Sequence, residues 1–164
     1  MTQSQKTMPQ VVNAAAEQYG DKVALVDRAV SYTYNELEAA RVQAARAFIA
    51  QGISKGDCIA IWAPNIPEWI IAAIGLQSVG AVLLPLNTRL KGAEAAFQLR
   101  KSGAKMLFTL SGFLDVDYAA LVAEQDLPEL KQIVMFRGES ENTVHWSDFM
   151  LAGNEVDLEL ANSM

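Results

Sequence analysis

The sole histidine of this chain, His145, is the side chain best suited to acid–base chemistry, because an imidazole can gain or lose a proton near neutral pH. Ser147 and Asp148 follow closely, so the residue types of a nucleophile–base–acid arrangement occur together. On a short helix, however, the three side chains would point in different directions, and no nucleophile is expected beside the imidazole. We therefore predict that His145 starts a helix or lies on the surface.

A carboxylate pair and a thiol are two further candidates. Asp115 and Asp117 could contribute oxygens to a metal site, but no further acids stand at ligand spacing, so we predict a solvated loop that starts a helix. Cys58 enters an apolar run with no neighbouring cation to favour a reactive thiolate, which indicates an inert core thiol. A single cysteine also excludes an internal disulfide and a thiolate-rich zinc site.

Gly75 and Gly80 have the glycine spacing of a phosphate-binding loop. Ala81 and Val82 stand where that loop needs a lysine and a hydroxyl residue, so nothing would meet phosphates or magnesium there. We predict instead that Gly75 permits close helix packing and that Gly80 ends a helix.

Composition restricts the classes of partner. The 164 residues, 51% of them apolar, suffice for the core of one domain. A net charge of -6 argues against nucleic acid, which is bound by clustered Lys and Arg. The polar residues 1–10 lack the apolar segment of a secretory signal, and the uncharged stretch 69–86 is better explained by a helix and a buried strand than by a membrane span. We expect a cytoplasmic protein.

Apolar patterning predicts a β-hairpin followed by alternating strands and helices. Thr33 and Glu36 form a capping box for a helix that Gly52 ends, and Asn65 with Glu68 is predicted to cap the next helix. The predicted strands are 23–26, 30–33, 58–62, 81–85, 105–110 and 131–136, and the later helices are 66–79, 93–102, 118–124 and 146–152. The strand spacing leaves room for crossover helices and predicts a mainly parallel sheet, preceded by a helix and the hairpin.

The predicted domain organisation has three parts. Residues 1–8 are expected to be a disordered N-terminus, and residues 9–153 the α/β part. Residues 154–164 show no periodicity and are expected to be a tail at which the domain is interrupted.

Four short sequence motifs carry a family resemblance. They are Tyr32-Thr33-Tyr34-Asn35-Glu36-Leu37, Gly52-Ile53-Ser54-Lys55-Gly56-Asp57, Pro64-Asn65-Ile66-Pro67-Glu68-Trp69 and Gly80-Ala81-Val82-Leu83-Leu84-Pro85-Leu86-Asn87, the last followed by Thr88-Arg89-Leu90. In this order and at these intervals they resemble the AMP-forming acyl-CoA synthetases, relatives of adenylation domains and firefly luciferase, over residues 9–149. The motif that begins at Asn87 looks more like that of the acyl-CoA ligases than that of the peptide-synthetase domains. Cys58 stands where relatives often carry Arg.

The resemblance implies the incomplete N-terminal subdomain of an adenylate-forming ligase. Such enzymes join a small carboxylic acid to ATP with magnesium, release pyrophosphate, and pass the acyl group to coenzyme A, as in fatty acid metabolism. Their Ser-, Thr- and Gly-rich phosphate loop, which ends in Pro-Lys-Gly, does not occur in this sequence and is expected to begin soon after residue 164. The resemblance therefore carries over no catalytic, cofactor-binding or metal-binding residue, and the fragment alone is expected to be inactive and to bind none of these cofactors.

Residues 62–65 and 87–90 remain the positions of interest, because they lie at the C-terminal ends of parallel strands, where α/β sheets place ligands. Three functions stay open at this point. The chain is a ligase fragment that needs the remainder of the polypeptide, or a noncatalytic α/β interaction module derived from such a ligase, or an independent nucleotide-binding domain. The last requires a glycine-rich first turn, which Trp62-Ala63-Pro64-Asn65 does not supply.

Overall fold

The computed structural model describes residues 7–157, and it confirms the α/β fold. The helices of this part are α1 (Met8–Tyr19), α2 (Tyr34–Ala50), α3 (Pro67–Ser78), α4 (Gly92–Ser102), α5 (Tyr118–Ala123) and α6 (Trp146–Ala152), with a short 3-10 turn at Gly153–Glu155. The strands are β1 (Val23–Asp27), β2 (Val30–Thr33), β3 (Cys58–Trp62), β4 (Val82–Pro85), β5 (Met106–Thr109), β6 (Gln132–Met135) and β7 (Val144–His145).

Five strands form a parallel sheet in the order β4-β3-β5-β6-β7, which confirms the prediction from strand spacing. The prediction of β4 as a buried strand is wrong: Val82 is 52% exposed, because β4 lies at the sheet edge and is covered less completely than the inner strands. The two-residue strand β7 was not predicted. It is too short to leave an alternating or continuous apolar pattern.

Helices cover the sheet on both faces. On one face, Ile59 and Phe108 pack against Phe48 of α2 and Leu76 of α3. On the other face, the neighbouring strand positions pack against α4 and α5, with Trp62 next to Tyr118. Because successive strand residues point to opposite faces, two covered faces require a continuous apolar run such as β3, in which every residue is buried.

Local capping is confirmed at α2 and contradicted at α3. The Thr33 hydroxyl accepts from the Glu36 amide at 3.1 Å while the Glu36 carboxylate accepts from the Thr33 amide at 2.8 Å. At α3 the N-cap is Ile66, without a side-chain hydrogen bond, so the predicted cap of Asn65 with Glu68 is wrong. The Glu68 carboxylate instead accepts from the Arg137 guanidinium, a charged partner that stabilises it more than a neutral amide would.

The hairpin β1–β2 and helix α1 lie outside the sheet and its covering helices. Both pack on an apolar cluster that includes Leu37 of α2 and Ile74 of α3. The hairpin loop contains two residues, one fewer than predicted, because Asp27 still pairs with Val30. At the chain ends, α1 begins at Met8, inside the segment predicted as disordered, and residues 1–6 and 158–164 lie outside the described part.

The start of the predicted tail contacts the domain. The 3-10 turn follows α6 directly, and Arg46 Nε of α2 donates to the Val156 carbonyl at 2.9 Å. The uncharged stretch 69–86 divides into most of α3, a turn and β4. In residues 7–157 no helix has both the length and the apolar character that crossing a bilayer requires.

Candidate functional site

The carboxyl edge of the parallel sheet is the candidate site, because four neighbouring strands end there in register. Ile61 pairs with Pro85, Trp62 with Thr109, and Thr109 with Met135. The segments that follow β3, β4, β5 and β6 therefore leave the sheet side by side, which is where open α/β sheets bind ligands.

Trp62 joins the two segments that the sequence singled out. Its side chain is fully buried, and its indole Nε1 donates to the Asn87 carbonyl at 2.9 Å. Its own carbonyl accepts from Thr109 Oγ1 at 2.8 Å, so β3, β4 and β5 are connected where they end. The structure thus brings residues 62–65 and 87–90 together through the hydrogen bond from Trp62 to Asn87.

Tyr118 is a further member of this edge that sequence reasoning missed. Its ring lies 4.6 Å from that of Trp62 in an edge-on arrangement, and its hydroxyl donates to the Thr88 carbonyl at 3.1 Å. Burial raises the pKa of Tyr118 above its usual value, so the phenol stays protonated and remains a donor. The sequence places Tyr118 only at the start of a helix and shows nothing of its contact with residue 88.

The surface of these segments is polar. Asn65, Asn87 and Arg89 are exposed, and Asn87 Oδ1 accepts from the Arg89 amide at 2.9 Å, which fixes a tight turn. The turn is closed by the Leu90 amide, which donates to the Asn87 carbonyl at 3.0 Å. The two segments present amide groups and one guanidinium to whatever contacts this edge.

A cluster of charges lies beside the same edge, where Arg137 follows β6. Its guanidinium donates through Nε and Nη2 to both Glu68 oxygens at 2.9 Å and through Nη2 to Asp27 at 3.0 Å. The hydrogen bonds to Glu68, and then the one to Asp27, raise the pKa of Arg137. Tyr32 lies close by, and burial first and the Glu68 charge second raise its pKa. The cluster connects the hairpin, α3 and β6.

These residues do not by themselves fit a magnesium–nucleotide complex. Two carboxylates already balance the charge of Arg137, whereas a triphosphate needs several unpaired donors and cations around it. In residues 7–157 no group of three or more His, Cys, Asp or Glu side chains could hold a metal ion. The residues at this edge therefore fix the positions of the two segments, and none of them carries a catalytic step.

The histidine prediction is confirmed in one respect and corrected in another. His145 is the N-cap of α6, as expected, and its ring accepts from the Ser147 amide. However, the Ser147 hydroxyl lies 2.8 Å from His145 Nδ1, so the two side chains do meet. Both are exposed, and the Ser147 amide donates to the ring nitrogen, so the pair serves as a helix cap.

The remaining candidates have structural roles. Asp117 is the N-cap of α5 and accepts from the Ala120 amide at 3.0 Å, while Asp115 lies in the exposed loop before it, as predicted. Cys58 is a buried free thiol in the core between the sheet and α4. Gly75 lies inside α3 and Gly80 follows its end with a φ of +73°, so neither belongs to a phosphate loop.

A cavity of about 120 Å³ opens at the opposite, amino edge of the sheet, between the ends of Gln51–Ile53, β5 and β6. It is smaller than the few hundred Å³ that small-molecule sites usually have. Of its two lysines, Lys105 already donates to Asp57 at 2.6 Å. We therefore retain the carboxyl edge as the candidate site.

The family of AMP-binding enzymes matches residues 12–157. A 3-[(3aS,4S,7aS)-7a-methyl-1,5-dioxo-octahydro-1H-inden-4-yl]propanoyl:CoA ligase of Mycobacterium tuberculosis is 34% identical over 148 residues, which cover 90% of this chain and 29% of that protein.

Solved structures have the same fold. The anthranilate CoA ligase AuaEII, in complex with anthranoyl-AMP, superposes with a TM-score of 0.78 at 23% identity over 87% of this chain and 27% of that one. The N-terminal domain of FACL13 from Mycobacterium tuberculosis superposes with a TM-score of 0.77 at 22% identity over 94% of this chain and 37% of that domain. The chain thus spans between 27% and 37% of these three proteins, and it resembles the N-terminal part of acyl-CoA ligases. From the match over residues 12–157 we conclude that the chain belongs to the AMP-binding enzyme family.

Proposed function

We propose that this chain is the N-terminal part of an acyl-CoA ligase and acts only together with the remainder of that polypeptide. The complete enzyme would convert a carboxylic acid, ATP and coenzyme A into an acyl-CoA, AMP and pyrophosphate through an acyl-adenylate, with magnesium, in the cytoplasm. The observation that carries the proposal is the unequal coverage: 90% of this chain matches a ligase of which it covers 29%.

The residues at the carboxyl edge are suited to positioning other parts of such an enzyme, not to carrying out its chemistry. Its two segments are connected by Trp62 and Tyr118, and their exposed groups are amides and Arg89. Groups of this kind can position a neighbouring loop, but a single guanidinium falls short of the several cations and hydrogen-bond donors that must surround the phosphates during adenylation. The reaction would depend on residues outside this chain.

A chimera tests the proposal. The 164 residues replace the matched segment of the Mycobacterium tuberculosis ligase, and pyrophosphate release is measured with that ligase's acid, ATP and magnesium. We expect no release from the 164-residue chain alone and release above background from the chimera. The same ligase with its matched segment deleted is the control, and a chain that releases pyrophosphate alone contradicts the proposal.

The coding DNA gives an independent test. A reading frame that continues beyond codon 164 into a Ser-, Thr- and Gly-rich loop ending in Lys supports the proposal. An immediate stop codon opposes it and favours the second candidate.

That second candidate is a noncatalytic α/β interaction module. The observation in its favour is that both faces of the five-stranded sheet are covered by helices within the described residues, so the core does not need another chain. This candidate predicts a monodisperse monomer with one sharp melting transition. Aggregation or strong binding of an apolar dye would oppose it.

A further inference from the structure

The cavity at the amino edge of the five-stranded sheet lies opposite the candidate site and is lined by two lysines and two glutamines. Its volume is about 120 Å³, and the residues that line it are Gln51, Ile53, Lys105, Met106, Lys131 and Gln132. One water molecule occupies ~30 Å³ in the liquid, so the cavity has room for a small polyatomic ion. We call it the amino-edge cavity.

The two lysines of the amino-edge cavity are neighbours, because the strands that follow them are in register. Met106 of β5 pairs with Gln132 of β6. The Lys131 amide donates to the Lys105 carbonyl at 2.8 Å, so the two lysines stand side by side where β5 and β6 begin. Adjacent like charges repel each other, and a bound anion would relieve that repulsion.

Only one of the two positive charges has a counterion in residues 7–157. Lys105 Nζ lies 2.6 Å from Asp57 Oδ1, whereas Lys131 is exposed and forms no ion pair in this part of the chain. The pKa of Asp57 is lowered first by the hydrogen bond from Lys105, and the Lys131 charge also contributes, so both ammonium groups act on one region. Two ammonium groups and one carboxylate leave one net positive charge there. An ammonium group has three N–H donors, so Lys105 can still donate to a second acceptor.

Gln132 restricts the kind of anion that fits. Its side-chain oxygen Oε1 is buried and has no hydrogen-bond partner among the described residues. A buried acceptor without a donor destabilises a protein, and most such atoms are paired with protein, water or a ligand. The amino-edge cavity thus combines the donors of two ammonium groups with an acceptor that lacks a donor.

We propose that the amino-edge cavity binds inorganic phosphate. The phosphate oxygens accept from Lys105 and Lys131, and a P–OH group donates to Gln132 Oε1. Phosphate keeps at least one P–OH group near neutral pH, whereas sulfate has the same tetrahedral shape and no hydrogen to donate. The site is separate from the carboxyl edge, and the inference does not depend on the proposed function.

Two features of the cavity limit the affinity. Gln51 is the C-cap of α2, so the negative end of the helix dipole lies at the cavity, and the Asp57 carboxylate also repels an anion. Lys131 is exposed, so solvent and salt screen its charge. We therefore expect a dissociation constant of about 1 mM at low ionic strength.

Titrations with phosphate and with sulfate test the site. Both are carried out near neutral pH at one ionic strength, which sodium chloride holds constant, and the backbone and side-chain amide resonances of Gln132 are followed by NMR in the 164-residue chain. Phosphate should give saturable shifts and bind about fivefold more tightly than sulfate, because sulfate lacks the hydrogen bond to Oε1. Equal binding of the two anions overturns the proposal.

Lys131→Met and Lys91→Met provide a matched pair. Both lysines are exposed, but Lys91 is the N-cap of α4, which begins on the carboxyl side of the sheet. Lys131→Met should weaken phosphate binding by about tenfold, because it removes a charged donor, whereas Lys91→Met should leave binding unchanged. Equal effects of the two substitutions overturn the site.

Gln132→Met separates binding from a structural role. The substitution removes the unpaired oxygen, so the melting temperature should stay the same or rise, and phosphate should no longer bind more tightly than sulfate. A variant that keeps the preference overturns the role of Oε1. Calorimetry repeats the phosphate titration in the chimera described above and in its Lys131→Met variant, and a site that is undetectable in both the chain and the chimera overturns the proposal.

Discussion

Gly75 of α3 lies so close to Ala44 of α2 that a Cβ atom added to the glycine would be 2.5 Å from the alanine Cβ. The backbone around Ala44 and Ala45 lies 3.3 Å from the same position, so the helix cannot yield by turning one side chain. The sequence prediction that Gly75 permits close helix packing is therefore confirmed. The absence of a side chain at Gly75 lets α2 and α3 approach each other closely.

Replacing this glycine with alanine tests the packing. Helix propensity alone predicts that Gly75→Ala stabilises the protein by up to about 1 kcal/mol. The steric overlap predicts the opposite sign, a loss of about 1–3 kcal/mol in the free energy of unfolding, because overpacking displaces backbone. Urea denaturation measures the difference. The double variant with Ala44→Gly should recover part of the loss, and an unchanged or increased stability of Gly75→Ala would contradict the close approach.

A second prediction concerns the buried guanidinium of Arg41, which connects α2 to α3. It donates to the Ser78 hydroxyl at 2.8 Å and to both Glu38 oxygens at 2.8 and 2.6 Å, and Arg41 is only 7% exposed. Arg41→Ala leaves the poorly solvated Glu38 carboxylate without a cation and with only the Asn13 amide, at 3.4 Å, as a donor, so we expect a loss of about 3 kcal/mol. Ser78→Ala removes one neutral partner and should lose about 1 kcal/mol. Equal losses for the two variants in urea denaturation would show that the ion pair adds nothing.

The sequence predicted what local patterns determine. The regular spacing of the strands predicted the parallel sheet, and the capping box at Thr33 predicted the start of α2. Both signals are local, because they involve residues a few positions apart or one strand–helix unit of recurring length. Glu68 shows where such reasoning fails. Its real partner, Arg137, is 69 positions away, so a local spacing rule assigned the carboxylate to a cap that does not form.

The exposure of β4 and the contacts within the candidate site could not be predicted from the sequence, because both depend on residues that are far apart along the chain. Val82 belongs to an apolar run like that of β3, and only the strand order shows that β4 has a neighbour on one side. Trp62 was singled out by its place at the end of a strand, but its contacts with Asn87 and Tyr118 cross between elements. No spacing in the sequence encodes them.

A third prediction follows from Asp57, whose pKa is lowered first by the hydrogen bond from Lys105 and then by the Ser54 amide. Because the folded pKa is below the unfolded value of about 3.9, this stabilisation is complete above that pH and is lost as the pH falls through the folded pKa. The gain should stay below about 1 kcal/mol, since Lys105 is 32% exposed. Urea unfolding at about pH 5 and about pH 3 should show a smaller acid-induced loss in Asp57→Asn than in the wild type. Identical losses would refute the assignment.

The last prediction concerns the turn at the carboxyl edge, where the Asn87 carbonyl accepts from both Trp62 Nε1 at 2.9 Å and the Leu90 amide at 3.0 Å. Trp62→Phe keeps a buried aromatic ring but removes the indole donor, so stability should fall by about 1 kcal/mol for the lost hydrogen bond, and further for the cavity that the smaller ring leaves, and the turn should open more often. Hydrogen exchange should quicken at Leu90, whereas the Leu86 amide, which donates to the Ile61 carbonyl at 2.9 Å, serves as the control. Tyr118→Phe, which removes the donor to Thr88, should loosen the same turn without changing the core. If Leu86 and Leu90 quicken equally in Trp62→Phe, the ring supports the whole strand end and the indole hydrogen bond has no separate role in positioning residues 87–90.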